Sequence, residues 1–257
     1  MTKTVCVIPA RMGSSRFPGK PLAKLLGLPL VLHVWNRCRI CREFEMVAVA
    51  TCDEEIRNAV TAAGGQAIMT SDKHERATDR TQEAVERLGL DLSPDDFVLM
   101  VQGDEVLVSP EMAATMIAAY QSSGADVVNL VSRLYSAADH EDPNVVKVVG
   151  DPDGNALYFS RAPIPSRARS ETVPMYQQTG VIGFRSAFLT EFGSLPQTPL
   201  ENIESVDMMR VIEHRRHVRL IYTEQETIGV DTPEELARAE QVLANDPLTV
   251  SYLAGAS

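Results

Sequence analysis

Short apolar runs alternate with amphipathic stretches along the first half of the chain. Val5–Ile8, Met46–Ala50 and Phe97–Val101 are continuous apolar segments with polar residues beyond them, and Gln66–Met69 is a shorter one. Uninterrupted apolar runs of this length suit strands covered on both faces. Between them the pattern changes to helical spacing over Pro29–Cys41, Glu54–Ala63, Arg80–Leu88 and Pro110–Ser122. Asp53 stands where a cap is needed before the second of these, and Gly64-Gly65 ends it. Strand, loop and helix repeated in this order predict a parallel, doubly wound α/β sheet.

The rhythm changes after Gly124. Asp126–Tyr135, Val145–Val149, Ala156–Ser160 and Gly180–Arg185 read as strands at hairpin spacing, and DPDG between the middle two is a turn signal. This predicts antiparallel strands over 125–200, set into an α/β core of 1–124 and 201–245, with a tail at 246–257. Within the returning core, Glu201–Arg215 reads as one helix, with Ile203, Val206, Met209 and Ile212 down one side. Val218–Tyr222 is a further strand. Thr232 opens a last helix with Glu235 three residues on, a capping-box pattern.

Composition narrows the function classes. Hydrophobic residues make up 44% of the 257, enough for a sizeable core. No apolar run approaches the roughly 18–20 residues that span a bilayer, and the opening segment MTKTVCVIPAR has no signal-peptide layout. A cytoplasmic protein without membrane association is expected. Lys and Arg number 24 against 35 Asp and Glu, a net charge of −11, which argues against nucleic acid as a partner. An anionic small ligand is still allowed, because a few focused cations can bind phosphate against an acidic background. The Cys38–Cys41 pair falls late in a helical pattern and has no second ligand pair at zinc spacing, so it reads as two small helix residues.

Candidate chemistry sits in three polar loops that follow strands. In a doubly wound sheet the strand carboxyl ends face the ligand. RMGSSRFPGK, after the first strand, offers Arg11, Arg16 and Lys20 with backbone donors near Gly13 and Ser14, a set suited to phosphate oxygens. It lacks the spacing of a Walker A loop. QGDE follows Phe97–Val101 and brings Asp104; IGVDTPEE brings Asp231. Two carboxylates beside a phosphate loop suit magnesium. Together the loops suit attack on the α-phosphate of a nucleoside triphosphate.

These residues also carry a resemblance. IPARMGSSRFPGKPL, VATCDEEI, VQGDE, NVVKVV, ALYFSRAPIP and IGVDTPEEL, in this order, resemble the 3-deoxy-manno-octulosonate (Kdo) cytidylyltransferases over nearly the whole chain. The resemblance implies a Rossmann-like nucleotidyltransferase core, a β-rich extension over 125–200 for acceptor binding and homodimerisation, and CTP with magnesium as the reaction's nucleotide and metal. It implies that the anomeric hydroxyl of a 2-keto-3-deoxy sugar acid attacks the α-phosphorus and releases pyrophosphate. On matching positions, Arg11, Ser14, Arg16 and Lys20 would hold the triphosphate, Ala10, Thr78, Arg80 and Gln102 the nucleoside, Asp104 and Asp231 the metal, and Arg161 the sugar carboxylate.

Departures from the family pattern cluster on the acceptor side. HxSGTDR reads HERATDR, placing Arg76 and Ala77 where Ser and Gly are usual. RHLGIYGY reads QQTGVIGF, with Gln178 at the sugar-contacting His and Ile182 at a Tyr; LEQLR reads VDMMR, with Asp207 and Met208 for Glu and Gln. Losing a group that read a substrate hydroxyl alters selectivity. The alternatives are therefore a nonulosonate, a modified octulosonate or a non-sugar acid as acceptor, and, from another class, a nucleotide-binding module without catalysis.

Overall fold

The computed structural model describes residues 2–13, 16–170 and 172–254. Its strands are β1 (Thr4–Pro9), β2 (Lys24–Leu25), β3 (Leu28–Pro29), β4 (Met46–Thr51), β5 (Gln66–Met69), β6 (Phe97–Val101), β7 (Val127–Leu134), β8 (Lys147–Gly150), β9 (Ala156–Ser160), β10 (Met175–Arg185) and β11 (Val218–Thr223). The helices are α1 (Leu30–Ile40), α2 (Glu54–Ala62), α3 (Ala77–Leu88), α4 (Pro110–Ser123), α5 (Ala137–Glu141), α6 (Ser186–Ser194), α7 (Pro199–Glu204), α8 (Met208–Glu213), α9 (Pro233–Leu243) and α10 (Pro247–Ala254). The central sheet runs β11-β7-β10-β6-β1-β4-β5. Its pairs are parallel except where β10 lies antiparallel between β6 and β7.

Period-two alternation sends neighbouring side chains to opposite faces. Cys6 and Ile8 of β1 enter one core with α1, α2, α4 and α9, while Val5 and Val7 enter a second with α3, α6 and α8. This double cover is why the strand reads as an unbroken apolar run. The strands of 125–200 share the central sheet through β7 and β10, while the β8–β9 hairpin branches from it along β10. The antiparallel insertion of β10 is what the change of rhythm after Gly124 encodes.

β10 is longer than Gly180–Arg185 suggests, and its register against β7 shifts between Gln178 and Ile182. Asn129 holds this bulge, its Nδ2 donating to the carbonyls of Thr179 and Val181, both at 3.2 Å. A bulge bends the strand and re-aims its side chains. Gly183, just beyond, has no room for a side chain: an added Cβ would stand 2.2 Å from Cζ of the fully buried Phe97. Phe97 is stacked on Tyr120 at 4.5 Å between centroids and cannot swing away cheaply. Gly183→Ala is expected to lose about 2–3 kcal/mol of stability by overpacking and to lower the melting temperature by roughly 5–10 °C in a thermal unfolding scan.

The single helix expected over Glu201–Arg215 is two. α7 ends at Ser205, which adopts a left-handed φ of 55°, and α8 begins at Met208. The cause lies across space. Glu201 is fully buried and accepts from Nε and Nη2 of Arg210, at 2.8 and 2.6 Å, which draws the two short helices together. Ile203 consequently points out, 73% exposed, whereas Val206 and Met209 are buried. α3 also begins earlier than Arg80, at Ala77, so Thr78 and Arg80 lie in its first turns.

Candidate active site

The three polar loops meet at the carboxyl ends of the strands. QGDE and IGVD are joined directly: Val230 N donates to Asp104 O at 3.1 Å, and Glu105 and Gly229 form an isolated antiparallel bridge. This contact brings Asp104 and Asp231 to one point despite their separation in the chain. Glu235 fixes the second carboxylate's backbone, accepting from Asp231 N at 2.6 Å and Thr232 N at 2.8 Å, and Thr232 completes the expected capping box.

Lys20 reaches both carboxylates, with Nζ 2.6 Å from Asp104 Oδ2 and 2.8 Å from Asp231 Oδ1. Arg16 adds Nη2 at 2.7 Å from Asp231 Oδ2 and extends Nη1 to Asn144 Oδ1 at 2.8 Å. Burial works to lower the Lys20 pKa, but the charges of Asp104 and Asp231 prevail and hold it above the ordinary lysine value. It is therefore an ammonium at neutral pH. Neighbouring Glu105 is buried and accepts from Gly180 N at 2.5 Å; burial first, then the Asp104 charge, pushes its carboxyl up to about 7.

Among the described residues no group of three His, Cys, Asp or Glu side chains gathers to hold a metal. The donor set is two carboxylates about a single ammonium. That fits a hard divalent cation which takes most of its ligands from phosphate oxygens and water.

Two cavities flank this point. A cavity of about 450 Å³ beside the cationic loop is lined by Ala10, Arg11, Arg16, Lys20, Arg80 and Gln102, along with Arg76 and Asp207. A larger one, about 820 Å³, is lined by Arg161, Gln178, Ile182 and Asp207, with Gln177 and Ser132. Arg16, Gln102, Asp104 and Asp231 line both. Gln102 is held in place by the bulge in β10: its N–H donates to Gly180 O at 2.9 Å, and a Cβ on Gly180 would meet its side chain at 2.8 Å. Ser14 lies outside the described residues.

Several expected site residues have structural partners that sequence does not reveal. Arg80 is buried and donates to Thr70 Oγ1 at 2.5 Å and to the carbonyls of Ser71 and His74, so it organises the loop before α3 as well as lining the cavity. Thr78 is fully buried behind the wall, its hydroxyl on Asp207 Oδ2 at 2.8 Å. Burial raises the Asp207 pKa, against the Thr78 hydrogen bond and the Arg76 charge. Gln178 donates to Asn129 Oδ1 at 2.8 Å. Arg161 gives Nε to Glu204 O at 2.7 Å and Nη1 to Pro143 O at 2.9 Å. Its pKa is lowered by burial and by the nearby charge of Arg16, and both residues line the larger cavity.

Two positioning residues escape sequence reasoning. Asp53 occupies an N-cap position, but its side chain caps nothing in α2; Oδ2 instead accepts from Met12 N at 2.8 Å and pins the cationic loop. Lys147 is fully buried, and its Nζ donates to the carbonyls of Asp142, Val145 and Arg161 at 2.7, 2.6 and 2.7 Å. It gathers the segments carrying Asn144 and Arg161. A lysine inside the apolar run VVKVV was the available signal.

A family model described as cytidylyltransferase matches residues 5–228. A 3-deoxy-manno-octulosonate cytidylyltransferase of Thermodesulfovibrio yellowstonii is 41% identical over 249 residues, covering 93% of this chain and 98% of the relative. An 8-amino-3,8-dideoxy-manno-octulosonate cytidylyltransferase of Shewanella sp. (strain ANA-3) is 38% identical over 242 residues, with the same two coverages, 93% and 98%. Among solved structures, CMP:2-keto-3-deoxy-manno-octonic acid synthetase complexed with CTP superposes with a TM-score of 0.85 at 35% identity, covering 95% of this chain and 99% of that one.

Proposed function

Because this chain belongs to the cytidylyltransferase family, we propose that it transfers CMP from CTP to a Kdo-type sugar acid and releases pyrophosphate. The observation that carries the assignment of residues is Lys20 bound at once to Asp104 and Asp231, with Arg16 beside it. Arg16, Asp104 and Asp231 line both cavities and Lys20 lines the smaller one, so the group borders the place where a donor phosphate and an acceptor hydroxyl would meet.

In this reading Arg11, Arg16 and Lys20 bind the triphosphate, and Gln102, Ala10 and Arg80 border the nucleoside. Asp104 and Asp231 would hold a divalent cation, magnesium in our proposal, which would neutralise charge on the phosphate and the departing pyrophosphate. Lys20, charged and beside both carboxylates, would face the same phosphate oxygens. Arg161 orients the acceptor carboxylate, supported by the carbonyls that fix its guanidinium. The anomeric hydroxyl oxygen attacks the α-phosphorus, its proton passing to solvent, and the bond from the α-phosphorus to the bridging oxygen breaks so that pyrophosphate leaves. Positioning and charge neutralisation supply the catalysis; no protein nucleophile is required.

Residues 125–200 provide about half of the acceptor side, β7, β10 and Arg161 among them. We assign the protein to the cytoplasm, where CTP is made, in keeping with its four free cysteines and the absence of any described helix able to cross a membrane. A homodimer is proposed on the family resemblance. A modified octulosonate as acceptor is favoured by one observation: Gln178 and Ile182, on the acceptor cavity wall, offer neither the imidazole nor the phenol of the usual pattern.

An acceptor panel tests the function. With CTP and magnesium, Kdo or its 8-amino-3,8-dideoxy analogue is expected to give stoichiometric pyrophosphate and a CMP-sugar. Turnover confined to a nine-carbon acid would reject the acceptor. Silence across the panel would reject cytidylyl transfer.

A further inference from the structure

Arg76 joins the two sides of the site. It occupies the N-cap position of α3 but gives the first turn no side-chain acceptor. Its Nη1 reaches 129 positions along the chain to Ser205 Oγ, at 2.7 Å. Ser205 is the left-handed residue that ends α7. Two residues later Asp207 accepts from Thr78, two residues after Arg76, at its N–H (3.3 Å) and its hydroxyl (2.8 Å). The segment between α7 and α8 is thus fastened twice to the start of α3. Ser205 and Asp207 line both cavities, and Arg76 lines the smaller one.

The residue types at these positions are matched. A serine at 76 could not span to Ser205, whereas a guanidinium can. Asp207 is one methylene shorter than the Glu of the related pattern, and the longer Arg76 reaches toward the same wall. Among the described residues the guanidinium's hydrogen bond is the one to Ser205 Oγ, beside a longer ion pair to Glu201 and the charge of Asp207. Glu201 Oε1 lies 3.9 Å from Arg76 Nε, but that carboxylate is taken up by Arg210, and Nε itself is buried with no hydrogen-bond partner. Its directed contact is the one to Ser205.

We infer that Arg76 is a positioning residue for the acceptor: through Ser205 it sets the wall that ends in Asp207, and so governs acceptor affinity in preference to CTP affinity. The inference rests on cytidylyl transfer to Kdo as read above.

Steady-state kinetics with CTP, magnesium and Kdo on four variants test it. Arg76→Ser is expected to raise the Kdo KM about tenfold, the worth of one charge-assisted hydrogen bond, and to raise it by more than it raises the CTP KM. Arg76→Lys, still cationic and long, should recover most of the affinity. Ser205→Gly, which suits a φ of 55°, should raise the Kdo KM like Arg76→Ser, and the double variant should be no worse than either single. An equal rise in CTP KM, or an effect of the double variant equal to the product of the singles, would overturn the inference. If Arg76→Ser does not fold, the Kdo KM of Ser205→Gly decides alone: unchanged, it rejects the role. Turnover by the wild type separates the two levels: the variants are assayed with whichever of Kdo and its 8-amino-3,8-dideoxy analogue the wild type turns over, and a wild type silent with both rejects the underlying reading and this inference with it.

Discussion

Lys20→Met lowers kcat/KM for CTP by about three orders of magnitude in the expected result, with the folded structure retained. Lys20 is 9% exposed, and its ammonium lies between two carboxylates at 2.6 and 2.8 Å. A methionine fills the stem's space, but leaves Asp104 without its cation and Asp231 with Arg16 alone. A triphosphate entering this cleft would then meet two negative groups and one fewer cation. Removing a single preorganised group that stabilises transition-state charge costs about 10²–10³ in kcat, and the loss in ground-state binding adds to it. The comparison is steady-state rate against CTP concentration, with a melting scan to confirm folding. A loss under tenfold would remove Lys20 from the phosphate site. The wild-type contribution has no acidic limb of its own. A group whose folded pKa is raised gives its stabilisation fully below the unfolded value and loses it only as pH rises through the folded one, above the ordinary lysine range.

Asp104→Asn keeps the shape and removes the charge. Asp104 O accepts from Val106 N at 2.9 Å and from Val230 N at 3.1 Å, so the turn is held by its backbone and survives the change. The side chain loses its charge toward Lys20 and toward a divalent cation. A neutral amide oxygen is a much weaker ligand for a hard cation than a carboxylate. The expected result is a fall in kcat of about 10³-fold at ordinary magnesium, with the magnesium concentration for half-maximal rate rising more than tenfold. Titrating magnesium at saturating CTP measures both. An unchanged magnesium dependence would show that Asp104 only anchors Lys20.

The parts of the site that sequence made legible are those fixed by topology or by local rules. Arg16, Lys20, Asp104 and Asp231 follow strands whose carboxyl ends converge in any doubly wound sheet, and the Thr232–Glu235 capping box is a local signal. The parts that stayed hidden depend on distant partners. Helical spacing ran straight through Ser205, because nothing near it in sequence announces that Glu201 will be buried against Arg210. Asp53 had the right type and position for a cap, yet Met12 N–H competes for it and wins. The place of β10 inside the sheet was not readable from hairpin spacing, since Gly183 and Phe97 meet only after folding. For the same reason the Arg76 substitution could be seen in sequence, but not its contact with Ser205.

The central claim is that one cleft of basic side chains and carboxylates clamps the triphosphate of CTP through a divalent cation. Calorimetric titration of the wild-type protein with CTP, in magnesium and again in chelator, tests it most directly. The account predicts saturable one-site binding that weakens at least tenfold when the metal is withdrawn. Equal affinity in both conditions would contradict it.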